Sequence, residues 1–353
     1  MSTLSSLPQS SAPLPRSASG RPERYLVTGG AGFIGSHIVA RLLAGGAAVR
    51  VFDNESSGDF GRLDGLAGDL ERVRGDIRDV VALGRAMAGV DRVFHKAAEV
   101  SVPRSVEDPA TTYAVNVTGT LNVLEAARAA GVRRVVMASS SAVYGDDPEM
   151  PKREGMAPRP ISPYASSKLA DEGLCEVYLR CYGLETVALR YFNVYGPGQD
   201  PSSPYAAVIP KFVEAIAAGR RPVIFGDGEQ TRDFVYVGDV VEANLLAMAA
   251  PGAPGRALNI ATGGGISLNR MLGVMGDVYG RALTAEHQPE RAGDVKHSLA
   301  DPSLAAEALG FRATTPFAEG LRRTLAAGMA GGRGPAADRA PVAVADEQLA
   351  GVA

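Results

Sequence analysis

The sequence predicts an α/β fold in which a doubly wound parallel sheet carries a smaller α/β domain on its C-terminal side. Three observations predict it. Short apolar runs alternate with helical patterns, a glycine-rich turn follows the first apolar run, and the composition shifts toward proline and glycine beyond Gly196. Repeated strand–helix units of this size build parallel sheets that helices cover on both faces.

The predicted elements follow in order along the chain. Apolar runs predict strands over residues 25–28, 48–52, 92–95, 134–138, 186–189 and 257–260. Helical patterns lie over residues 38–43, 83–87, 118–130, 163–182 and 240–250. This alternation predicts a first domain at 23–195, to which a segment at about 233–262 returns, and a smaller domain formed by 196–232 and 263–330. Residues 1–22 and 331–353 lack periodicity and are predicted to be disordered tails.

The composition excludes several classes of protein. Of the 353 residues, 46% are hydrophobic and 21% are charged, which is typical of a globular chain. No stretch approaches the roughly 18 consecutive apolar residues of a membrane helix. The 36 basic and 39 acidic side chains give a net charge of −3 without the basic block that binds nucleic acid. We therefore expect neither a membrane nor a nucleic acid as partner.

The sequence contains two cysteines, Cys175 and Cys181, in one predicted helix. Neither belongs to a Cys-x-x-Cys or Cys/His pattern, so no metal site and no disulfide framework are predicted. Such cysteine usage fits a reducing compartment such as the cytoplasm.

The glycine-rich turn predicts a dinucleotide site. Gly29, Gly32 and Gly35 have the spacing Gly-x-x-Gly-x-x-Gly between the first strand and the first helix, where a backbone without Cβ atoms can approach a pyrophosphate. A purely structural tight turn is the alternative for this pattern taken alone. Asp53, at the end of the second strand, can accept hydrogen bonds from ribose hydroxyls and would repel a 2′-phosphate, which favours NAD over NADP. A turn cap is the alternative role for this aspartate.

A tyrosine and a lysine have a spacing that suits proton transfer. Tyr164 and Lys168 follow Ser162-Pro163 at a predicted helix start, and their i, i+4 spacing puts both on one helical face. A nearby ammonium favours a phenolate, which can accept a proton from a sugar hydroxyl while hydride leaves the same carbon. An incidental pair is the alternative reading, and the glycine turn upstream disfavours it.

Three serines follow the predicted strand at 134–138. Ser139, Ser140 and Ser141 therefore emerge at the carboxyl edge of a parallel strand, where open α/β sheets bind ligands. One hydroxyl could bridge a substrate oxygen and Tyr164. The physics of the sequence does not decide which one.

Several motifs in order carry a family resemblance. They are Thr28-Gly-Gly-Ala-Gly-Phe-Ile-Gly35, Gly75-Asp-Ile77, His95-Lys-Ala-Ala98, Ser140-Ser-Ala-Val-Tyr-Gly145, Tyr164-x-x-x-Lys168 and Arg190-Tyr-Phe-Asn193. With them the chain resembles the extended short-chain dehydrogenase/reductases, which have a Rossmann-type sheet, from about residue 24 to 325. It looks most like the UDP-hexose 4-epimerases, especially those acting on N-acetylated sugars, through the segments 204–211 and 293–301.

The resemblance implies roles for individual residues. Ser140, Tyr164 and Lys168 would be catalytic. The residues implied at NAD are Gly29, Gly32, Phe33, Ile34, Asp53, Asn54, Asp76, Ile77, Ala97, Ala98, Asn116, Tyr164, Lys168 and Tyr191. Those implied at the UDP-sugar are Ser140, Ser141, Asn193, Val208, Phe225, Arg232, Arg291, Asp294 and Ser298.

Among the substrate residues, the resemblance places Asn193 and the two arginines at the diphosphate, where guanidinium groups suit phosphate oxygens. It places Phe225 against uracil and Val208 and Asp294 in the nucleotide pocket. Ser298 occupies a gatekeeper position, where a small residue leaves room for an acetamido group. An ordinary loop serine is the alternative.

The implied reaction is NAD-dependent 4-epimerisation of a UDP-hexose through a transient 4-keto sugar. A 4,6-dehydratase would need an acid–base pair where this chain has Ser141 and Ala142. A decarboxylase would also need an acid in that stretch, and a glucuronate epimerase would need cations at the sugar. A silent NAD-binding regulatory protein typically loses the tyrosine or the lysine, and this chain has both. The resemblance also implies a homodimer formed by paired helices.

One residue departs from the family pattern. Lys96 stands where apolar residues or glutamine are usual, and its cation would lie close to the cofactor unless it extends outward. Glu99 is close enough in sequence to be its partner.

Overall fold

The computed structural model describes residues 20–199, 208–290 and 296–330. The predicted C-terminal tail and most of the predicted N-terminal tail lie outside these residues. Within the described residues, no helix is long and apolar enough to cross a membrane.

Most strands form one large sheet, as the alternation of apolar runs predicts. In chain order the strands are β1 (Arg24–Thr28), β2 (Ala48–Asp53), β3 (Leu70–Arg74), β4 (Arg92–His95), β5 (Arg134–Ser140), β6 (Glu185–Tyr191), β7 (Asn193–Tyr195), β8 (Val223–Phe225), β9 (Thr231–Tyr236), β10 (Ala257–Ile260), β11 (Gly265–Ser267), β12 (Glu286–Gln288) and β13 (His297–Ser298). The large sheet has seven strands in the order β10-β6-β5-β4-β1-β2-β3. Every pair in it is parallel.

Helices cover both faces of this sheet. In chain order the helices are α1 (Phe33–Ala44), α2 (Val80–Met87), α3 (Val102–Glu107), α4 (Pro109–Tyr113), α5 (Gly119–Ala129), α6 (Pro163–Tyr182), α7 (Val208–Ala217), α8 (Val237–Ala249), α9 (Leu268–Tyr279), α10 (Ser303–Leu309) and α11 (Phe317–Ala330). Residues of α1, α8 and α10 share one hydrophobic cluster with the sheet, and residues of α2, α5 and α6 share a second. The predicted doubly wound α/β class is therefore confirmed.

Burial explains why the central strands read as apolar runs. All six residues of β2 are buried, as are four of the five in β1, because helices pack on both faces of a parallel sheet.

The long helix α6 begins as its sequence predicts. Ser162 caps it by accepting a hydrogen bond from the backbone N–H of Ala165 at 3.1 Å, and Pro163 follows at the first turn.

A third hydrophobic cluster lies outside the large sheet. It joins residues of β7, α7, β8, β9, α9 and α11, among them Phe212, Phe234 and Met271. Strand β9 pairs with β7 and β13 in parallel and with β11 antiparallel. Of the returning segment 233–262, the end of β9 thus lies in the smaller sheet, whereas β10 pairs with β6 in the large one. The division into two domains stays a prediction.

Candidate active site

The glycine turn before α1 packs so closely against neighbouring backbone that side chains do not fit at Gly29 and Gly35. Gly29 has φ +67°, and a Cβ there would lie 2.5 Å from the backbone N of Ala97. A Cβ on Gly35 would lie 2.1 Å from the carbonyl oxygen of Gly29. Gly32 immediately precedes α1 and supplies no side-chain cap, so the first N–H groups of the helix suit an anion such as a pyrophosphate.

Two acidic side chains follow β2 and β3 at the same edge of the sheet. Asp53 is buried, and its carboxylate accepts hydrogen bonds from the N–H groups of Ala31 at 3.0 Å and Glu55 at 2.8 Å. Burial raises the pKa of Asp53. Asp53 thus ties β2 to the glycine turn, so the turn-capping role is present, and its ribose contact stays a prediction.

The second acid, Asp76, accepts a hydrogen bond from Asn54 Nδ2 at 3.0 Å. Hydrogen bonds from Arg78 hold the pKa of Asp76 well below its usual range, which keeps this side chain anionic. Ile77 beside it is buried. The structure therefore brings together Asn54, Asp76 and Ile77, three of the residues that the resemblance implies at NAD.

The segment after β4 is held by buried polar contacts. His95 lies between the hydroxyls of Thr28 and Thr120, at 2.7 Å and 3.0 Å, and burial lowers its pKa to about 3. Asn116, on a π-helical turn between α4 and α5, accepts from the backbone N of Glu99 at 2.8 Å and donates to Ser167 Oγ at 2.9 Å. These contacts fix the backbone of Ala97 and Ala98 against the glycine turn.

The predicted catalytic pair lies on α6, which packs against β5 and the turn at 141–144. Tyr164 is partly exposed, and Lys168 is buried. Lys168 Nζ lies 3.2 Å from Asp171 Oδ2, and the Asp171 side chain is fully buried. Burial raises the pKa of Asp171 to about 6, although Lys168 acts in the opposite direction. Sequence reasoning missed Asp171, although it stands one helical turn from Lys168.

The titration of Asp171 has a testable consequence for stability. Its pKa of about 6 in the folded chain exceeds the ordinary 3.8, so the folded state binds more protons than the unfolded state between these values. Stability must then fall as pH rises through that window. Relative to Asp171→Asn, we expect the parent to lose about 2–3 kcal/mol of unfolding free energy between pH 4 and 7. Urea unfolding of both proteins at several pH values measures this difference, and a flat difference would contradict it.

The serines at the end of β5 have different partners. Ser139 is buried and donates to Glu172 Oε1 at 2.5 Å, and Glu172 also pairs with Arg190 at 2.7 Å. Ser140 is partly exposed and accepts a hydrogen bond from the N–H of Ala142 at 3.1 Å, so its own proton stays available to an acceptor. The structure therefore favours Ser140, with Ser141 next to it, over Ser139 for contact with a ligand. Sequence reasoning also missed Glu172, although it continues the i, i+4 series of Tyr164 and Lys168.

Lys96 has a partner that the sequence did not predict. Its Nζ donates to the hydroxyl of Tyr191 at 2.9 Å and lies 5.4 Å from the centre of that ring. Glu99 instead pairs with Arg104 at 3.3 Å, so the suggested pairing of Lys96 with Glu99 is wrong. The side chain extends across the sheet rather than along its own loop.

The predicted substrate residues lie in the smaller sheet and near it. Ser298 of β13 pairs with Arg232 of β9, and Asn193 of β7 lies opposite Phe234 of the same strand. Arg232 Nη1 donates to the carbonyl oxygens of Thr231 and Lys296.

Two more of these residues lie on separate elements. Phe225 ends β8, and Val208 begins α7. Arg291 and Asp294 lie outside the described residues. Asn193, Arg232 and Ser298 are thus brought onto three neighbouring strands.

The residues present fit a dinucleotide. The tight turn at Gly29, the start of α1 without a side-chain cap and the acids at the ends of β2 and β3 lie along one sheet edge, which is the arrangement that pyrophosphate and ribose require. Among the described residues, no group of three or more His, Cys, Asp or Glu side chains is arranged to hold a metal ion.

Comparisons with known proteins agree with this geometry. A UDP-glucose 4-epimerase of Mycolicibacterium smegmatis is 42% identical over 306 residues, which are 86% of this chain and 97% of that protein. A UDP-N-acetylglucosamine 4-epimerase from Methanobrevibacter ruminantium, solved with UDP-N-acetylmuramic acid, has a TM-score of 0.84 at 40% identity, covering 88% of this chain and 99% of that one. A Thermus thermophilus UDP-glucose 4-epimerase complex with NAD has a TM-score of 0.77 at 41% identity, covering 86% and 98%.

The family model described as the NAD dependent epimerase/dehydratase family matches residues 25–261. This span holds the glycine turn, the serines after β5 and the Tyr164–Lys168 pair, and the resemblance seen in the sequence is thereby confirmed. The chain belongs to the NAD dependent epimerase/dehydratase family.

Proposed function

We propose that this chain is an NAD-dependent isomerase that inverts C4′ of a UDP-hexose, interconverting UDP-glucose with UDP-galactose and UDP-N-acetylglucosamine with UDP-N-acetylgalactosamine. One observation carries the proposal. Tyr164 and Lys168 lie on a helix that packs directly on β5, at whose carboxyl end Ser140 keeps a hydroxyl proton to donate. The names of the similar proteins support the same activity.

The proposed chemistry needs proton transfer beside a hydride acceptor. NAD, when bound along the glycine turn, supplies the hydride acceptor and later the hydride donor. Tyr164 accepts the proton of the 4′-hydroxyl, and Ser140 donates a hydrogen bond to the same oxygen. Lys168 provides a buried cation one helical turn away on the same face of α6. After the 4-keto sugar has turned over, Tyr164 returns the proton.

The proposed reaction requires firm binding of the nucleotide and loose binding of the sugar. We assign Arg232, Arg291 and Asn193 to the diphosphate, Phe225 to uracil, and Val208 and Asp294 to the nucleotide pocket. The sugar must stay mobile, because a rigidly clamped ring could not present both faces to the same hydride acceptor. A lyase is not favoured, since Ser141 and Ala142 occupy the positions where an acid–base pair would be needed.

Turnover of defined substrates tests the activity. Purified protein is incubated with UDP-glucose, UDP-galactose and their two N-acetylated counterparts, with UDP-glucuronate as a comparison, and followed by proton NMR. We expect each of the first four sugars to convert to its C4′ epimer until the ratio is constant. Loss of water or carbon dioxide from any sugar, or no conversion at all, would overturn the proposal.

We assign to Ser298 the acceptance of N-acetylated sugars in addition to plain hexoses. This partly buried serine pairs with Arg232 across β13 and β9. Its side chain is small, which is what an acetamido group beside it would need. Ser298→Tyr is expected to lower kcat/KM for the N-acetylated sugars by about 10-fold or more, since an overpacked site costs about 1–3 kcal/mol. UDP-galactose should be spared, with Ser298→Ala as the control. Equal loss on both kinds of sugar would remove the gatekeeper role.

We also propose a homodimer formed through α5 and α6. Apolar side chains of these helices and of α4 remain exposed, with 40% of Tyr113, 38% of Leu121, 48% of Val177 and 55% of Tyr182 accessible to water. A second copy that pairs its own helices with these would cover them. Light scattering should then give twice the mass of one chain.

We further propose a cytoplasmic location. Cys175 and Cys181 are free thiols, which supports it.

A further inference from the structure

The backbone of Lys96 lies against the glycine turn and is held there by a hydrogen bond. Its N–H donates to the carbonyl oxygen of Thr28 at 3.0 Å, and its carbonyl carbon lies 2.6 Å from where a Cβ of Gly29 would stand. The starting point of the side chain is therefore set by β1 and by the turn that suits the cofactor.

From this point the side chain reaches a strand two places away. Lys96 follows β4 and Tyr191 ends β6, and β5 lies between them in the sheet. Neighbouring strands are about 4.8 Å apart, so the side chains of Lys96 and Tyr191 together bridge about 10 Å of sheet edge. Tyr191 pairs with Ser140, the last residue of β5. Lys96 thus connects the glycine turn with the strand that leads into the smaller sheet.

In the hydrogen bonds that join Lys96, Tyr191 and Asn244, the donor and the acceptor of each bond can be assigned. Asn244 of α8 donates through Nδ2 to the carbonyl oxygen of Val240 at 2.7 Å, so its Oδ1 must be an acceptor. The Tyr191 hydroxyl donates to that Oδ1 at 3.0 Å, and burial raises the pKa of Tyr191, which keeps the phenol protonated. Its oxygen is then free to accept from Lys96 Nζ.

The amine works here as a donor rather than as half of an ion pair. Nearby carboxylates are engaged elsewhere, Glu99 with Arg104 and Asp171 with Lys168. Burial, followed by the charge of Lys168, lowers the pKa of Lys96 well below its usual value. An ammonium and a neutral amine both donate, so the bond to Tyr191 persists in either form.

We propose that Lys96 is a positioning residue: by holding the buried phenol of Tyr191 in one orientation, it fixes the end of β6, where the family resemblance implies a residue at NAD. The inference rests on the proposed function and on the place of Tyr191 among the residues that the resemblance implies at NAD. An epimerase must keep the reduced cofactor in place while the sugar turns over, because hydride has to return to the same carbon. A tyrosine fixed from one side by Asn244 and from the other by Lys96 serves this need.

A double-mutant cycle tests the proposal through binding of NADH, read from the fluorescence of the reduced nicotinamide. Lys96→Met keeps an unbranched side chain that is one atom shorter and removes the donor, and Tyr191→Phe removes the acceptor. Each is expected to weaken NADH binding about 3- to 10-fold, the effect of one net hydrogen bond. The double variant should bind within about twofold of the weaker single variant, because both changes remove the same bond.

Further variants separate positioning from general damage. Lys96→Gln can still donate and is expected to bind NADH within about twofold of the parent. Arg104→Met removes an exposed cation in the next segment and should change nothing. With UDP-galactose, Lys96→Met should lower kcat and leave KM within about twofold, since Lys96 does not contact the assigned substrate residues.

Three results would overturn the proposal. They are parent-like NADH binding in Lys96→Met, additive losses in the double variant, and a loss in Lys96→Gln equal to that in Lys96→Met. If Lys96→Met does not fold, parent-like NADH binding in Tyr191→Phe overturns it alone. NADH binding needs no sugar, so failure to turn over any UDP-sugar would count against the proposed function and leave this test readable.

Discussion

Replacing Tyr164 by phenylalanine is expected to lower turnover of a UDP-hexose by about 10²-fold or more, the usual contribution of a general base. The substitution removes one oxygen and keeps the ring, the helix α6 and the buried Lys168–Asp171 pair. Binding of the nucleotide sugar should be largely kept, because the assigned diphosphate and uracil contacts lie on other elements. Steady-state kinetics with UDP-galactose give kcat, and calorimetry gives the dissociation constant of the sugar nucleotide.

The same helix offers a matched control for this variant. Tyr182 is the last residue of α6 and exposes 55% of its side chain, so Tyr182→Phe removes one phenolic oxygen far from Lys168. It should retain the turnover of the parent. Parent-like activity in Tyr164→Phe would refute the base assignment. Equal losses of turnover in both variants would show that the effect comes from a disturbance of α6 and not from loss of the hydroxyl at position 164.

The central strands could be predicted because burial on both faces makes them apolar. Strand β3 was missed for the opposite reason. It is the edge strand of the sheet, and its sequence Leu-Glu-Arg-Val-Arg is largely exposed, so no apolar run marks it. The helical region that ends in α5 was likewise predicted too short. Asn116 and its neighbours form a π-helical turn that turns polar groups inward, which breaks the amphipathic pattern.

Motifs in the sequence allow candidate site residues to be proposed, whereas residues that contact them only through the fold carry no such signal. Glu172 contacts Ser139 and Arg190, both of which lie on strands distant from it in sequence. Lys96 shows the limit most clearly. Its partner was sought three residues away at Glu99, whereas the fold supplies Tyr191, 95 positions along the chain. Contacts of this kind depend on strand order, which a local pattern does not contain.

Gly35→Ala is the second substitution with a large expected effect. A Cβ at this position would lie 2.1 Å from the carbonyl oxygen of Gly29, and the obstacle is backbone, which cannot rotate away. The glycine turn and α1 must then separate, at a cost of about 3 kcal/mol or more in unfolding free energy. The displaced turn should also lose its fit to a pyrophosphate, so the purified variant is expected to carry little NAD. Urea unfolding and the NAD content of the perchloric-acid extract measure the two effects.

The control for this variant is a glycine in another helix with open space around it. Gly84 lies inside α2, and a Cβ there would meet nothing within 4 Å. Since alanine favours a helix over glycine by up to about 1 kcal/mol, Gly84→Ala should be as stable as the parent or more so, with its NAD content unchanged. If the Gly35→Ala variant had the stability and NAD content of the parent, the glycine turn would have rearranged at little cost to accept the methyl group. The close approach of α1 to β1 would then not be what shapes the cofactor site.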